Sequence, residues 1–293
     1  MATLPLAESI THQHLLCVVN TLIINTNSRG PIRILDAGCG NGKLISYLHK
    51  SLHLLHPEIE FHISGYDVRD HGVQAAGFLA DTVSRLLKDI PEVDWPNKIH
   101  TIQANDQWTF ASDKYDFIIS NQVLEHVHDK DFFFKNISAH LVEGGYSAHL
   151  APLKHIVHEG HIFLPWAHRI SNFSALLAYI RLMSSLGFGK FPRHRRDTNC
   201  TLHEYSERHA DYIYFWTSYA TESETIQFAR KNGLRADFRF STDFYKAKLR
   251  QIFKRQPEYL YQLNRSGIQD AVSLKFLRYI SSVTFVCKKV NTY

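Results

Sequence analysis

Ile34 to Lys43 reads ILDAGCGNGK, an acid followed by Gly38, Gly40 and Gly42 at every second position. Glycine tolerates positive φ and lets the backbone come close to a ligand, so this stretch suits a cradle. A phosphate-binding P-loop needs G-x-x-x-x-G-K-[ST]; here Ala37 stands at the first glycine and Leu44 follows Lys43. A dinucleotide turn spaces its glycines G-x-G-x-x-G, whereas this one runs G-x-G-x-G. The remaining ligand class is a nucleoside without phosphates, which calls for carboxylates rather than a basic cradle. Asp67 closes a second apolar run 25 residues beyond Gly42, where an acid can take both ribose hydroxyls.

Histidine suits proton transfer near neutral pH, and the chain has 19. His155, His158, Glu159, His161 and His168 fall in APLKHIVHEGHIFLPWAHRI. The three-residue spacing of His155, His158 and His161 brings the imidazoles together if the segment is helical, but Gly160 and Pro165 oppose a long helix. His161 is the first candidate for a general base or metal ligand, and His155 the reserve. The aromatic stretch Tyr205 to Tyr219 offers either a stacking wall or simple packing. Arg193 to Arg196 offers a contact for a phosphate or carboxylate on an acceptor, but reads first as a solvated basic loop.

The elements that carry these residues alternate. Strands are expected at Ile32 to Asp36, Glu60 to Asp67, Lys98 to Gln103, Tyr115 to Ser120 and Tyr146 to Leu150. Helices are expected at Gly42 to Leu55, Val73 to Leu87 and Asp131 to Val142, the last stopped by Gly144-Gly145. Such alternation predicts an α/β fold, a doubly wound sheet that binds its ligand beyond the carboxyl ends of the strands. After Pro152 the alternation breaks, with Gly187 to Cys200 (GFGKFPRHRRDTNC) expected as a mobile loop. It resumes with a helix at Glu222 to Lys231, a strand at Leu234 to Phe240 and a last strand at Ser281 to Lys288. The division is an N-terminal helical segment 1–30, a nucleoside-binding core 31–152, a lid 153–219 over the acceptor site, and a C-terminal part of the sheet 220–293.

Read together, DAGCGNG from Asp36, GYD at Gly65 to Asp67 and YDFIISNQVLEHV at Tyr115 to Val127 resemble the class I S-adenosylmethionine-dependent methyltransferases. The likeness covers residues 32–150, about half the chain, and fits the last strand. It implies a mostly parallel seven-stranded Rossmann-like sheet, S-adenosylmethionine as cofactor and S-adenosylhomocysteine as product. It sets Asp36, Ala37 and the backbone of Gly38, Cys39 and Gly40 against the methionine part, Asp67 on the ribose and Val68 beside the adenine. Asn105 or Asp106 would cap the adenine amino group, and Asn121 and Gln122 would meet the methionine end. In quinone-ring and small-RNA 2′-O-methyltransferases, E-x-x-E-H and a later histidine hold a divalent metal. Glu125 and His126 match that pattern, with His161 as the later histidine, but Gln122 replaces the first glutamate. A metal is therefore not favoured, and His126 stands as a candidate catalytic residue.

Methyl transfer from a sulfonium is an in-line displacement, so the protein chiefly aligns the acceptor. An alcohol must also lose its proton, a task for histidine. The expected activity is methyl transfer to a small-molecule or sugar-containing acceptor, at oxygen. The rivals are a metal-assisted quinone-type or RNA-terminal O-methyltransferase, and a cofactor-binding regulatory or scaffold protein without turnover.

Composition agrees with a folded chain that buries a sizeable core: 293 residues, 44% apolar and 21% charged, at a net charge of +5. That balance is too mild to predict a nucleic-acid partner. Cys17, Cys39, Cys200 and Cys287 form no C-x-x-C pair, which predicts thiols and a cytoplasmic location. The run Leu15 to Ile24, interrupted by Asn20 and Thr21, is too short to span a bilayer. No Lys or Arg precedes it, so it lacks the charged start of a signal peptide and reads as a packing helix.

Overall fold

Alternate residues of β1 (Ile32–Ala37) enter opposite cores: Ile32 and Ile34 one, Leu35 and Ala37 the other. A strand covered on both faces reads as a continuous apolar run, and β1 lies inside a seven-stranded sheet ordered β3-β2-β1-β4-β5-β7-β6. The computed structural model describes residues 4–26, 30–69, 77–104, 106–110, 114–263 and 267–290. The other strands are β2 (Phe61–Val68), β3 (Ile99–Ile102), β4 (Tyr115–Asn121), β5 (Leu141–Ala151), β6 (Leu234–Asp237) and β7 (Val283–Lys289). β1 to β5 pair in parallel, while β7 runs antiparallel to both β5 and β6. The doubly wound, mostly parallel sheet is the one anticipated above.

One face is covered by α1 (Ile10–Thr26), α2 (Lys43–Leu55) and α9 (Ser241–Ile252), whose Leu16, Leu48 and Phe244 share a core with Ile119 and Val286. On the other face α4 (Lys130–His140), α8 (Glu222–Lys231) and α10 (Gly267–Leu277) bring Phe134, Ala229 and Leu274 against Ile118 and Phe285. α3 (Phe78–Asp89) lies between β2 and β3 in the chain; the expected helix from Val73 begins in residues outside the described ones. Between β5 and α8 the chain forms α5 (Phe173–Ser185), α6 (Phe191–Thr198) and α7 (Leu202–Trp216). Ile162, Leu176, Ile180, Phe191 and Ile213 form a third, separate apolar core there.

Three expectations are corrected. The Gly187 to Cys200 segment is not a loop throughout, since it contains α6. Pro192 sits in the first turn, where its missing N–H costs nothing, Phe191 is buried, and Asn199 ends the helix at φ 54°. The expected stop Gly144-Gly145 lies inside β5 instead. The chain passes from α4 into the strand at Leu141, and the glycines absorb a register shift opposite Tyr115 and Phe117. A side chain at Gly145 would come within 2.9 Å of the Val142 carbonyl and 3.1 Å of the Asp116 carbonyl. β6 stops at Asp237 rather than running on to Phe240, because the Asp237 carboxylate accepts the Arg239 N–H (3.0 Å) and turns the chain.

Candidate active site

The glycine loop leaves β1 and is tied to β2. The N–H groups of Gly38 and Cys39 donate to the Tyr66 carbonyl at 2.8 and 2.9 Å. Gly38 (φ 81°) passes so close to Val123 that any Cβ would overlap its isopropyl group. Asp67, at the tip of β2, accepts from Gly40 N–H and Val68 N–H, each at 2.7 Å. One carboxylate thus holds the loop and its own strand end together.

These groups open on a cleft of about 600 Å³ at the carboxyl ends of the strands. Gly38, Gly40, Asp67 and Val68 line one part, and Phe78, Ile102, Asp106 and Trp108 another. Asn121, Gln122, His126 and Tyr212 complete it. Asp106 accepts the Gln103 N–H (2.9 Å), fixing its own loop; Asn105 lies outside the described residues. Gln122 takes φ 57°, and its amide exchanges hydrogen bonds with Ser282 Oγ at 2.9 and 3.1 Å. Asn121 donates to Thr11 (3.1 Å), and among the described residues its buried Oδ1 has no partner.

Asp36 is 1% exposed, and among the described residues neither carboxyl oxygen has a hydrogen-bond partner. Burial, reinforced by the like charge of Asp67, pushes its pKa up to about 8. A buried carboxyl without a donor is costly once ionised, so Asp36 suits a ligand that brings a cation or N–H donors. With Asp67, the bare glycine backbone and apolar walls at Ile102 and Trp108, the donor set fits a nucleoside carrying an amino-acid tail. It offers no basic cradle for phosphates.

The other wall is assembled from distant segments. A turn at Leu124–His126 holds His126, whose Nδ1 donates to the Trp216 carbonyl (2.8 Å) at the end of α7. The Ser218 N–H donates to the Glu125 carbonyl (2.6 Å), and buried Lys130 donates to the carbonyls of Val127 and Ser218. Glu159 is fully buried. It accepts from the backbone of His161 (2.8 Å) and Ile162 (3.0 Å), from Tyr219 hydroxyl (2.7 Å) and from His161 Nδ1 (2.6 Å). Burial pushes its carboxyl up, but the His161 and Tyr219 bonds prevail and hold it below its ordinary range. A carboxylate and a carbonyl can only accept, so both histidines carry their proton on Nδ1 and present Nε2 as an acceptor. Tyr212 hydroxyl stands 3.4 Å from each Nε2. Burial, with Glu125 and Glu159 nearby, raises the Tyr212 pKa and keeps it a neutral phenol.

His126 and His161 therefore come together, with ring centroids 5.4 Å apart. His155 does not join them; its ring meets Tyr279 edge-on. His158 stacks on Phe163 and His168 packs on Tyr219. Of the aromatic stretch, Tyr212 lines the cleft, Tyr205 packs on Phe191, and Tyr214 and Phe215 pack on Phe173. Arg193 and Arg196 are exposed on α6 beside Asp197. Burial raises Glu125 to about 7. Among the described residues no three His, Cys, Asp or Glu side chains are grouped to hold a metal.

The roles of Glu159 and Tyr212 escaped sequence reasoning. Glu159 was visible as a neighbour of His161, but its burial was not, and Tyr212 was one of several tyrosines. Trp108 and Ile102 carried no signal beyond apolarity.

A family model described as a methyltransferase domain matches residues 14–189, more than half of the chain. No curated protein sequence matches. Among solved structures, the chain is similar to the plantazolicin methyltransferase BamL, in complex with a triazolic desmethylPZN analog and SAH. That likeness has a TM-score of 0.50 and 13% identity over 97% of this chain and 86% of that one. YcgJ protein from Bacillus subtilis gives 0.47 at 13% identity, covering 95% of this chain and 100% of that one. At such identities the likeness to BamL is one of fold.

Proposed function

The chain belongs to the methyltransferase-domain family, as a class I S-adenosylmethionine-dependent methyltransferase, and from that premise we propose that it methylates an oxygen of a small-molecule or sugar-containing acceptor. The observation that carries this reading is the buried Glu159 carboxylate on His161 Nδ1, which leaves Nε2 as a proton acceptor behind the Tyr212 hydroxyl. A neutral amine attacks through its lone pair and needs less help from a base, whereas an alcohol becomes nucleophilic enough only as its proton is removed.

The bound cofactor supplies an electrophilic methyl group on a sulfonium. For the chain's own part, Asp67 would hold the ribose, Val68 would flank the adenine, and Asp106 or Asn105 would cap its amino group. Asp36 would meet the methionine ammonium, beside Ala37 and the backbone of Gly38, Cys39 and Gly40, with Asn121 and Gln122 near that end. Tyr212 and His126 face the acceptor from the opposite wall. The acceptor's proton passes to the Tyr212 oxygen as the Tyr212 proton passes to His161 Nε2, and Glu159 balances the imidazolium. His126, pinned by Trp216, offers the phenol an alternative acceptor at its own Nε2. Contacts of 3.4 Å are long for hydrogen bonds, as catalytic contacts often are before a ligand is seated. His155 takes no part in this step. The four free cysteines, three of them buried, support work in the cytoplasm.

Incubation with S-adenosylmethionine and a panel of hydroxylated metabolites and sugars, with the product's methyl position read by NMR, tests the proposal. O-methylation that collapses in His161→Ala supports it. Methylation solely at nitrogen or carbon, or an undiminished rate in His161→Ala, overturns it.

A further inference from the structure

α10 carries apolar residues on the side that meets the sheet and also on a side that faces water. Leu274 is buried against the sheet, while Ile268, Val272, Phe276 and Ile280 recur at every fourth position and stand 77, 51, 70 and 62% exposed. A surface helix ordinarily turns its polar residues to water, so an exposed apolar row of this size marks a face that something covers. α9 runs alongside in the same direction: Thr242 meets Asp270 (3.5 Å), Tyr245 hydroxyl donates to the Leu277 carbonyl (2.9 Å), and Lys248 Nζ reaches Ser281 Oγ (3.1 Å). The far end of α9 adds exposed Leu249, Ile252 and Phe253. Seven large apolar side chains thus stand in water on one helix pair and the residues that end it.

Charge says what covers them. Residues 241–280 hold eight Lys and Arg against three Asp and Glu, a surplus of +5 that equals the net charge of the whole chain. The remaining residues balance. Of the three acids, Asp243 is buried and Glu258 is paired with Arg250 (3.0 Å). Exposed Lys246, Lys254, Arg255 and Lys275 sit among the apolar residues on these two helices and the turn after α9. A second copy of the chain would bring the same positive field against itself. A surface with anionic headgroups above hydrocarbon matches both the charge and the apolar ridge.

We infer that the α9–α10 face seats the protein on an anionic lipid bilayer. No helix among the described residues is long and apolar enough to cross one. The inference is independent of which acceptor is methylated.

The test is flotation of the full chain with vesicles of equal phosphatidylcholine and phosphatidylglycerol, and with phosphatidylcholine alone. The protein should float with the mixed vesicles, bind phosphatidylcholine at least about tenfold more weakly, and dissociate as salt rises. Ile268→Ser with Phe276→Ser, and separately Lys254→Glu with Arg255→Glu, should each weaken binding about tenfold or more. Thermal midpoint and S-adenosylhomocysteine affinity should not move. No flotation with the mixed vesicles, equal binding to both compositions, or wild-type binding by the charge-reversed variant would each overturn the inference. So would a dimer lost in Phe276→Ser by a protein that ignores vesicles, which would assign the face to a second copy.

Discussion

Tyr212 and His161 meet hydroxyl to Nε2 at 3.4 Å although 51 residues separate them. The contact exists because α7 is fastened to the turn at His126 through the Trp216 carbonyl, while Glu159 fixes the imidazole from behind. The same phenol stands 3.4 Å from His126 Nε2 and can donate its one proton to a single ring at a time.

If that phenol relays the acceptor's proton, Tyr212→Phe should lower kcat by about tenfold, and His161→Ala by about a hundredfold. S-adenosylhomocysteine affinity, measured by calorimetry, should stay within about twofold in both. Equal loss of cofactor affinity and turnover would mean that the variants disturb the fold rather than the proton path.

Asp36 should make cofactor binding release a proton. Its pKa in the ligand-free protein, about 8 against an ordinary 3.8, leaves it protonated at pH 7. The sign follows: the neutral carboxyl's stability contribution is complete below pH 3.8 and is lost as pH rises through about 8. An arriving ammonium favours the carboxylate. The calorimetric enthalpy of S-adenosylhomocysteine binding at pH 7 should therefore differ between phosphate and Tris. Asp36→Asn should remove the difference and weaken binding by about tenfold or more. Identical enthalpies in the two buffers for the wild type would remove Asp36 from this role.

Gly38→Ala should destabilise the protein by about 1–3 kcal/mol, through positive φ and overlap with Val123. Val123→Ala added to it should recover part of that loss, because it relieves the overlap and leaves the φ strain. Urea unfolding of the two single variants and the double variant measures the coupling. Strict additivity would show that the approach to Val123 is not the constraint.

Acid should weaken the fold well above the carboxylate range. His14 is fully buried between Tyr261 (3.0 Å) and Thr284 (2.7 Å), and His149 beside Ser120 (2.8 Å). Burial holds each at about 3 against 6.5. Their contribution is complete above pH 6.5 and is lost as pH falls toward 3, on the order of several kcal/mol by pH 4. Unfolding free energy should decline from pH 6.5 to 5, and His149→Asn should flatten that decline. An unchanged slope in the variant would place the acid sensitivity elsewhere.

Much of the sheet is legible in the sequence for a plain reason. β1 and β4 are covered on both faces, so their apolar runs are unbroken, and each turn that leaves them is marked by polar or glycine residues. α6 was hidden because Gly189, Pro192 and a run of arginines look like loop chemistry. Its helical state depends on Phe191 entering a core made by α5 and α7. Gly144-Gly145 look like a helix stop, yet what requires them is the neighbouring β4 backbone, a tertiary fact. The same contrast divides the site. Asp36, Gly38, Gly40 and Asp67 lie on two adjacent strand tips and follow local rules, whereas Glu159, His161, Tyr212 and His126 become neighbours only after the chain between β5 and α8 has folded over.

That stretch has an apolar interior of its own, in which, among the described residues, no residue of the sheet takes part. If the acceptor lies against that stretch, as proposed, substitutions inside it should change which molecule is methylated while S-adenosylhomocysteine affinity holds. That separation makes the helices α5 to α7 the place where directed evolution should seek a new specificity.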